Sequence, residues 1–202
     1  MKFANTAALL AVCGLLSLTG CGQAEETASI AETQPATKPF VPEGAIADDS
    51  GEFVYTGQLK EVGDAENGYI KVPVTFVQFQ EEGVSGLTQY SDPTGSNVIT
   101  LDFYEGIPYE DAANSIVYHM AEDENVEGLT GASVTVAGYN AKQIYCHYTD
   151  DDKFVVIWLI EDPSNPSDSY YLAIEFFNES ADIMACSSTF RTVHDHAGES
   201  QR

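Results

Sequence analysis

Two histidine-containing groups in this chain have residue types and spacing that could carry chemistry. His194-Asp195-His196 places two imidazoles at positions i and i+2, where they could bind a metal ion, but no third ligand cluster accompanies them. His147 lies just before Asp150-Asp151-Asp152, which would suit an acid–base pair. We interpret the first group as part of a frayed tail. The second is interpreted as a surface histidine on a strand, beside a hairpin turn.

Cys146 and Cys186 form a third candidate group. Both follow an apolar N-terminal run that is typical of an export signal, so both would meet an oxidising exterior. Cys146 is predicted on a strand and Cys186 on a helix that packs against the same sheet, which makes them a candidate disulfide. The alternative is two separately buried thiols that act as small hydrophobic side chains. Sequence alone leaves both interpretations open, and the absence of a Cys-x-x-Cys pair argues against redox catalysis.

Catalytic signatures are missing from the chain. It contains no Gly-x-Ser-x-Gly, no His-Glu-x-x-His and no glycine-rich phosphate loop. The acidic triplet 150–152 lacks the alternating oxygen ligands and distal Glu of a calcium loop. We therefore predict no catalytic residue, no metal site and no cofactor, and we expect that the protein is not an enzyme. The alternative is an extracellular hydrolase whose site is spread over loops 81–97 and 161–169.

The N-terminal segment carries the most specific motif. Lys2 precedes an uncharged apolar run from Phe3 to Leu16, which is too short to span a bilayer comfortably. Leu18-Thr19-Gly20-Cys21 then resembles the lipobox of bacterial lipoproteins. The resemblance implies that residues 1–20 are removed as a signal peptide. It also implies that Cys21 carries a lipid that contains palmitate. An ordinary signal peptide cut elsewhere is the alternative.

Lipidation would place the mature chain on the extracytoplasmic face of the cell membrane. Removal of residues 1–20 takes away Lys2 and changes the formal net charge from −24 to −25. Such a charge argues against nucleic-acid binding, because few cations are present to neutralise phosphates. It also argues against adhesion to anionic headgroups, so the membrane contact is expected through the acyl chains. The acidity itself suits either solubility or a cationic partner.

Composition divides the remaining chain into three parts. Residues 21–50 are small, polar and punctuated by Pro35, Pro39 and Pro42, which predicts a lipidated flexible linker. Residues 51–193 are rich in aromatic residues and predict one globular domain. Residues 194–202 are polar and predict a disordered tail. A solute-binding lipoprotein is disfavoured, because such receptors usually need two lobes and this chain has room for one domain.

Hydrophobic periodicity predicts a sheet with two helical regions. Pro108 opens a predicted helix over 108–124, where residues 113, 116, 117 and 120 form an apolar stripe. A second, shorter helix begins at Asn178, with Ile183, Cys186 and Phe190 on its expected inner face. A strand is expected over 53–59, followed by a turn with the Asn67-Gly68 hairpin signal. Gly128 and Gly131 are expected in the loop after the long helix. The apolar runs 154–160 and 170–177 predict strands that are covered on both faces. We therefore predict an α+β domain, a three-layer α/β/α sandwich with a mainly antiparallel sheet and helices on both faces.

The order of these elements resembles the PsbP-like fold. The matching features are Tyr69-Ile-Lys-Val-Pro73, the helix after Pro108, the run 134–141 that enters three consecutive strands, and Ser188-Thr-Phe190 at the close. The resemblance implies the same α/β/α sandwich. It also implies a non-enzymatic accessory or partner-binding module of the cell envelope, bound to a protein or envelope component. It transfers no catalytic residue.

Overall fold

The computed structural model describes residues 54–80 and 86–195. Within these ranges the chain forms nine strands, one long α-helix, one long 3₁₀ helix and a helical turn at 193–195. The strands are β1 (Leu59–Asp64), β2 (Gly68–Pro73), β3 (Val77–Phe79), β4 (Thr88–Ser91), β5 (Val98–Tyr104), β6 (Val126–Val136), β7 (Tyr139–Tyr148), β8 (Lys153–Glu161) and β9 (Ser169–Phe176). The α-helix α1 spans Tyr109–Ala121, and the 3₁₀ helix spans Asn178–Thr189.

Seven of the strands form one antiparallel sheet in the order β3-β4-β5-β9-β8-β7-β6, while β1 and β2 form a separate hairpin. The central strands β8 and β9 are buried along nearly their whole length. Alternation sends Val155, Ile157 and Leu159 to one face of the sheet. It sends Val156, Trp158 and Ile160 to the other. Both faces therefore need an apolar cover.

The helix α1 covers the first face over β6 to β9. Its apolar stripe is the predicted one, with Ala113 and Met120 buried and Ile116 and Val117 partly buried against the sheet. Pro108 caps the helix, and the acidic residues of the first turn face the positive end of the helix dipole. Lys142 on β7 pairs with Glu110 at 3.1 Å and so ties the helix to the sheet.

The second face is covered by the β1–β2 hairpin together with the 3₁₀ helix. Ile70 and Val72 of β2 are fully buried in the same core as Met184, Cys186 and the capping residue Phe190. The hairpin and the 3₁₀ helix are joined by a two-way backbone bridge, in which Tyr69 N donates to Arg191 O (2.9 Å) and Arg191 N donates to Tyr69 O (2.8 Å). Arg191 also pairs with Glu61.

The predicted three-layer α/β/α sandwich is wrong, and the PsbP-like fold that the resemblance implies is not supported. The domain is mostly β, and one of its two covering layers is a β-hairpin with a 3₁₀ helix. The segment 178–189 forms a 3₁₀ helix instead of an α-helix, and at its C-terminal end Ser187, Ser188 and Thr189 donate to carbonyls three residues earlier, at 2.7–2.8 Å, which favours the tighter turn there. Its backbone is also kinked at Ser180.

Two strand positions differ from the sequence prediction as well. A strand was expected over 53–59, but β1 begins at Leu59 and its hairpin partner β2 follows the turn 65–67. Gly128 and Gly131 were expected in a loop, but both lie within β6. The strand accommodates them through a bulge between Glu127 and Thr130, where Gly128 adopts a φ of +63°.

We predict that Phe190→Ala lowers the free energy of unfolding by about 3–5 kcal/mol. The Phe190 ring is 1% exposed. Its edge contacts Tyr170 and Tyr139, with ring centroids 5.5 and 6.0 Å apart. Urea denaturation followed by tryptophan fluorescence would measure the change. Tyr118→Ala, on the outer side of α1 at 52% exposure, is the control and should change stability by less than about 0.5 kcal/mol. Equal losses would show that Phe190 does not hold the second face closed.

Candidate functional site

The two cysteines of the candidate disulfide are free and buried in the structure. Cys146 lies on the α1 face of the sheet and Cys186 lies in the core of the opposite face. The sheet separates them, so the structure corresponds to two separately buried thiols. Burial raises the pKa of each thiol to about 12, which keeps both protonated and unreactive.

Cys21, the signal segment and the linker lie outside the described residues. Within residues 54–80 and 86–195, no helix is long and apolar enough to cross a membrane.

His147 lies within hydrogen-bond distance of Asp152, with 2.9 Å between Nε2 and Oδ1. Its ring also stacks on Phe154, with centroids 4.6 Å apart and planes 22° apart. The interpretation as a surface histidine beside a hairpin turn agrees with this position, since His147 is the last residue but one of β7, next to the turn 149–152. The pair therefore belongs to a partly aromatic, partly acidic surface.

His194 and Asp195 are described, whereas His196 is not. Residues 193–195 form a helical turn, in which Asp195 accepts hydrogen bonds from the Tyr139 hydroxyl and from Thr192 Oγ1. The Asp195 carboxylate is thus used to hold the chain against β7. In the described part of the chain, no group of three or more His, Cys, Asp or Glu side chains is arranged to hold a metal ion.

One part of the alternative hydrolase site, the turn 92–97, lies far from the loop 162–168. The strand β5 pairs with β9 so that Val98 faces Glu175 at one end and Tyr104 faces Ser169 at the other. The turn 92–97 therefore lies at one end of the sheet and the loop 162–168 at the opposite end, about 20 Å away for a seven-residue strand. Residues 81–85 lie outside the described ranges.

Two acidic turns meet at one end of the sheet, and we call them the acidic end. One turn is 122–125, between α1 and β6, and the other is 149–152, between β7 and β8. Thr149 joins them, because its N–H and its hydroxyl both donate to Asn125 O, at 2.9 and 3.2 Å. Six carboxylates are carried on these two turns, and no Lys or Arg occurs in either: Glu122, Asp123, Glu124, Asp150, Asp151 and Asp152. Except for Asp123, which is partly buried, these six residues are exposed.

A row of aromatic side chains borders the acidic end on the hairpin face. The strand register places Glu127, His147, Phe154 and Phe176 opposite one another on β6, β7, β8 and β9. Tyr145 precedes His147 by two residues on β7 and so lies on the same face of the sheet. It stacks on Phe154, with ring centroids 6.1 Å apart and ring planes 14° apart. Phe176 is buried, whereas His147 and Phe154 are half-buried. We call His147 and Phe154, with Tyr145 beside them, the aromatic row.

The combination suits recognition of a cation. Carboxylates attract a positive charge, and a flat aromatic surface contacts the alkyl or guanidinium part of Lys or Arg. The nearest lysine, Lys153, pairs with Glu175 at 3.6 Å, with both side chains largely buried. It therefore does not neutralise the exposed acidic end.

Asp102 is a functional candidate that sequence reasoning missed. Burial raises the pKa of this carboxyl to about 6; the Phe103 N–H, which donates to Oδ1 at 2.9 Å, opposes the shift, and Glu66 adds to it. Perturbed carboxyls often mark catalytic sites. Its hydrogen-bond donor in the described part of the chain is the adjacent backbone, and we expect the buried carboxyl to affect the stability of the fold.

No model of a known protein family matches this chain, and no curated protein matches it either. The functional argument therefore depends on the residues and the geometry described above.

The acidic end was not recognised from sequence because its two turns are 27 positions apart in the chain. The signal that could have found it is the predicted hairpin at 150–152 together with the acidic run that follows the helix. Only the pairing of β6 with β7 brings these two runs together.

We predict that Asp102→Asn stabilises the protein at pH 7.5 and loses this advantage at pH 4. The pKa of Asp102 is about 6 in the folded chain, above the value of about 4 for an unfolded aspartate. The stability that the protonated Asp102 carboxyl contributes to the wild type is therefore fully present below pH 4 and is lost as the pH rises through 6. Allowing for partial exposure, we expect the gain from Asn to grow by about 1–2 kcal/mol over this range. Denaturant titrations at the two pH values would measure it.

The control is Asp92→Asn, which should show the opposite trend. Burial alone would raise the pKa of Asp92, but hydrogen bonds from Thr94, Ser96 and Asn97 outweigh it and lower the pKa. Its ionised form therefore stabilises the fold above pH 4 and stops doing so as the pH falls. Parallel pH profiles for the two variants would contradict the assignment of Asp102.

Proposed function

We propose that this protein is a lipid-anchored, extracytoplasmic module that binds a cationic partner protein or envelope component and catalyses no reaction. The observation that carries the binding proposal is the contact between the acidic end and the aromatic row on one surface. The anchor is proposed from the lipobox-like Leu18-Thr19-Gly20-Cys21. Acyl chains on Cys21 would hold the module at the membrane, and residues 22–50 would link it to the domain.

Charge favours a cationic partner over other classes. The formal net charge is −24. Most of the described Lys and Arg side chains already have partners within the domain. Lys142, Lys153 and Arg191 form ion pairs, and Lys60 donates to Phe76 O. Few Lys or Arg side chains of the chain itself therefore compete with an approaching cation for the carboxylates of the acidic end. Electrostatic attraction of this kind raises the rate of association and selects the sign of the partner.

The aromatic row favours a side-chain cation over a bare metal ion. A metal ion needs oxygen ligands that converge on one point. The carboxylates of the acidic end are carried by two separate turns, and the Asp152 side chain is 84% exposed. A guanidinium group can pair with one carboxylate and lie against an aromatic ring at the same time. Arginine-rich segments of a partner protein are therefore the proposed ligand class.

We predict that the protein binds a ten-residue arginine peptide and that Asp150→Asn with Asp151→Asn weakens binding about five-fold, since each exposed pair contributes about 0.5 kcal/mol. Calorimetry at low salt would measure the affinity, and higher salt should weaken it. The matched control is Glu66→Gln with Glu105→Gln, which removes the same charge from exposed positions elsewhere. Equal weakening by both double variants would reduce the effect to net charge and overturn the assigned site.

We also predict that Cys21→Ala releases the protein from the membrane fraction and removes the lipid mass. The reason is that two acyl chains give stable membrane attachment, whereas the acidic polypeptide has no affinity for anionic headgroups. Fractionation of cells together with mass spectrometry of the purified protein would test it. The control is Cys13→Ala, which should leave both the location and the lipid unchanged. Membrane-bound material with an unmodified Cys21 would overturn the anchor.

A further inference from the structure

The strand β6 forms one edge of the large sheet. It is 11 residues long, and among the described residues its strand partner is β7. The opposite edge is β3, which has only three residues and follows a break at Pro73. Sheet edges in soluble proteins are usually short, charged or interrupted by proline, because an open edge can pair with another chain. β3 meets this expectation, whereas β6 does not.

The pairing pattern shows which backbone groups of β6 are directed outward. Ala137-Gly138 is a two-residue turn with φ of 50° and 91°, so Val136 and Tyr139 form the hydrogen-bonded pair that closes it. Such pairs alternate along an antiparallel ladder. The N–H and C=O groups of Gly131, Ser133 and Thr135 therefore point away from β7, and all three residues are exposed.

The part of β6 beyond the bulge is regular. From Thr130 to Val136 each residue has a single partner on β7, which gives an edge of seven residues, or about 23 Å. This stretch contains no proline, no lysine and no charged side chain. The bulge and Glu127 lie at its beginning, directly beside the acidic end.

We propose that β6 binds an extended, basic segment of the partner as an additional strand of the sheet. This inference rests on the proposed function, because the acidic end would receive the cationic residues at one end of that segment. Backbone hydrogen bonds to Gly131, Ser133 and Thr135 would supply affinity, and the carboxylates would supply register and specificity. A second copy of this chain is a poor occupant, since its formal net charge of −24 leaves it few cationic residues to place against the acidic end.

The test uses the full mature chain and two synthetic peptides of equal charge. The first alternates valine and threonine over seven residues and ends in three lysines; the second has prolines at two central positions, which prevents strand pairing. We expect the first peptide to bind at least ten-fold more tightly than the second. We also expect it to slow amide hydrogen exchange at Gly131, Ser133 and Thr135.

Variants of the edge test the same interaction from the protein side. Ser133→Pro removes an outward N–H without removing a bond to β7, and we expect it to reduce binding of the first peptide to the level of the second. Ser133→Ala is the control and should bind within two-fold of wild type. The peptide comparison needs no variant, so it stays decisive if Ser133→Pro does not fold.

Each outcome separates this inference from the proposed function. Equal binding of the two peptides, lost in Asp150→Asn with Asp151→Asn, would overturn strand addition and retain the cationic partner. Binding of neither peptide would overturn both. Concentration-dependent self-association that protects the amides of β6 would identify a second copy as the occupant and would also overturn the inference.

Discussion

The two-sided burial of β8 and β9 is the constraint on which the rest of this structure depends. Their apolar side chains alternate between two cores, with Leu159 in one and Trp158 in the other, so neither face of the sheet can meet water. At about 25 cal/mol for each Å² of apolar surface, an uncovered face would remove most of the stability of a domain of this size. The chain therefore supplies one cover before these strands and completes the other after them.

The two covers differ in kind, and this difference decides what remains at the surface. The helix α1 spans β6 to β9 on its face. On the other face, β2 of the hairpin packs on β5, and the 3₁₀ helix packs on β9 and on β2. The hairpin side of β6 and β7 therefore keeps half-buried aromatic residues at its margin. Both proposed interactions use what the covers leave open: the acidic end, the aromatic row and the β6 edge.

Much of the local structure could be predicted because its signals are short-range. The helix over 108–124 is present at Tyr109–Ala121, the hairpin indicated by Asn67-Gly68 forms with its turn at 65–67, and Pro73 is the last residue of β2. The predicted inner residues Ile183, Cys186 and Phe190 are all buried. The three-layer sandwich was wrong because apolar strands require a cover without specifying its type. At the end of the 3₁₀ helix, Ser and Thr side chains bond to backbone carbonyls, a local competition that apolar spacing does not reveal.

By itself the sequence determined the negative charge, the spacing of apolar residues along each strand and the absence of familiar catalytic motifs. These follow from residue identity and from periods of two or 3.6 positions, which need no long-range contact. Only the tertiary structure decided that Cys146 and Cys186 lie on opposite faces, that the turns 122–125 and 149–152 adjoin, and that β6 lies at the edge. Each of these depends on strand order, and strand order is set by how distant segments share one core.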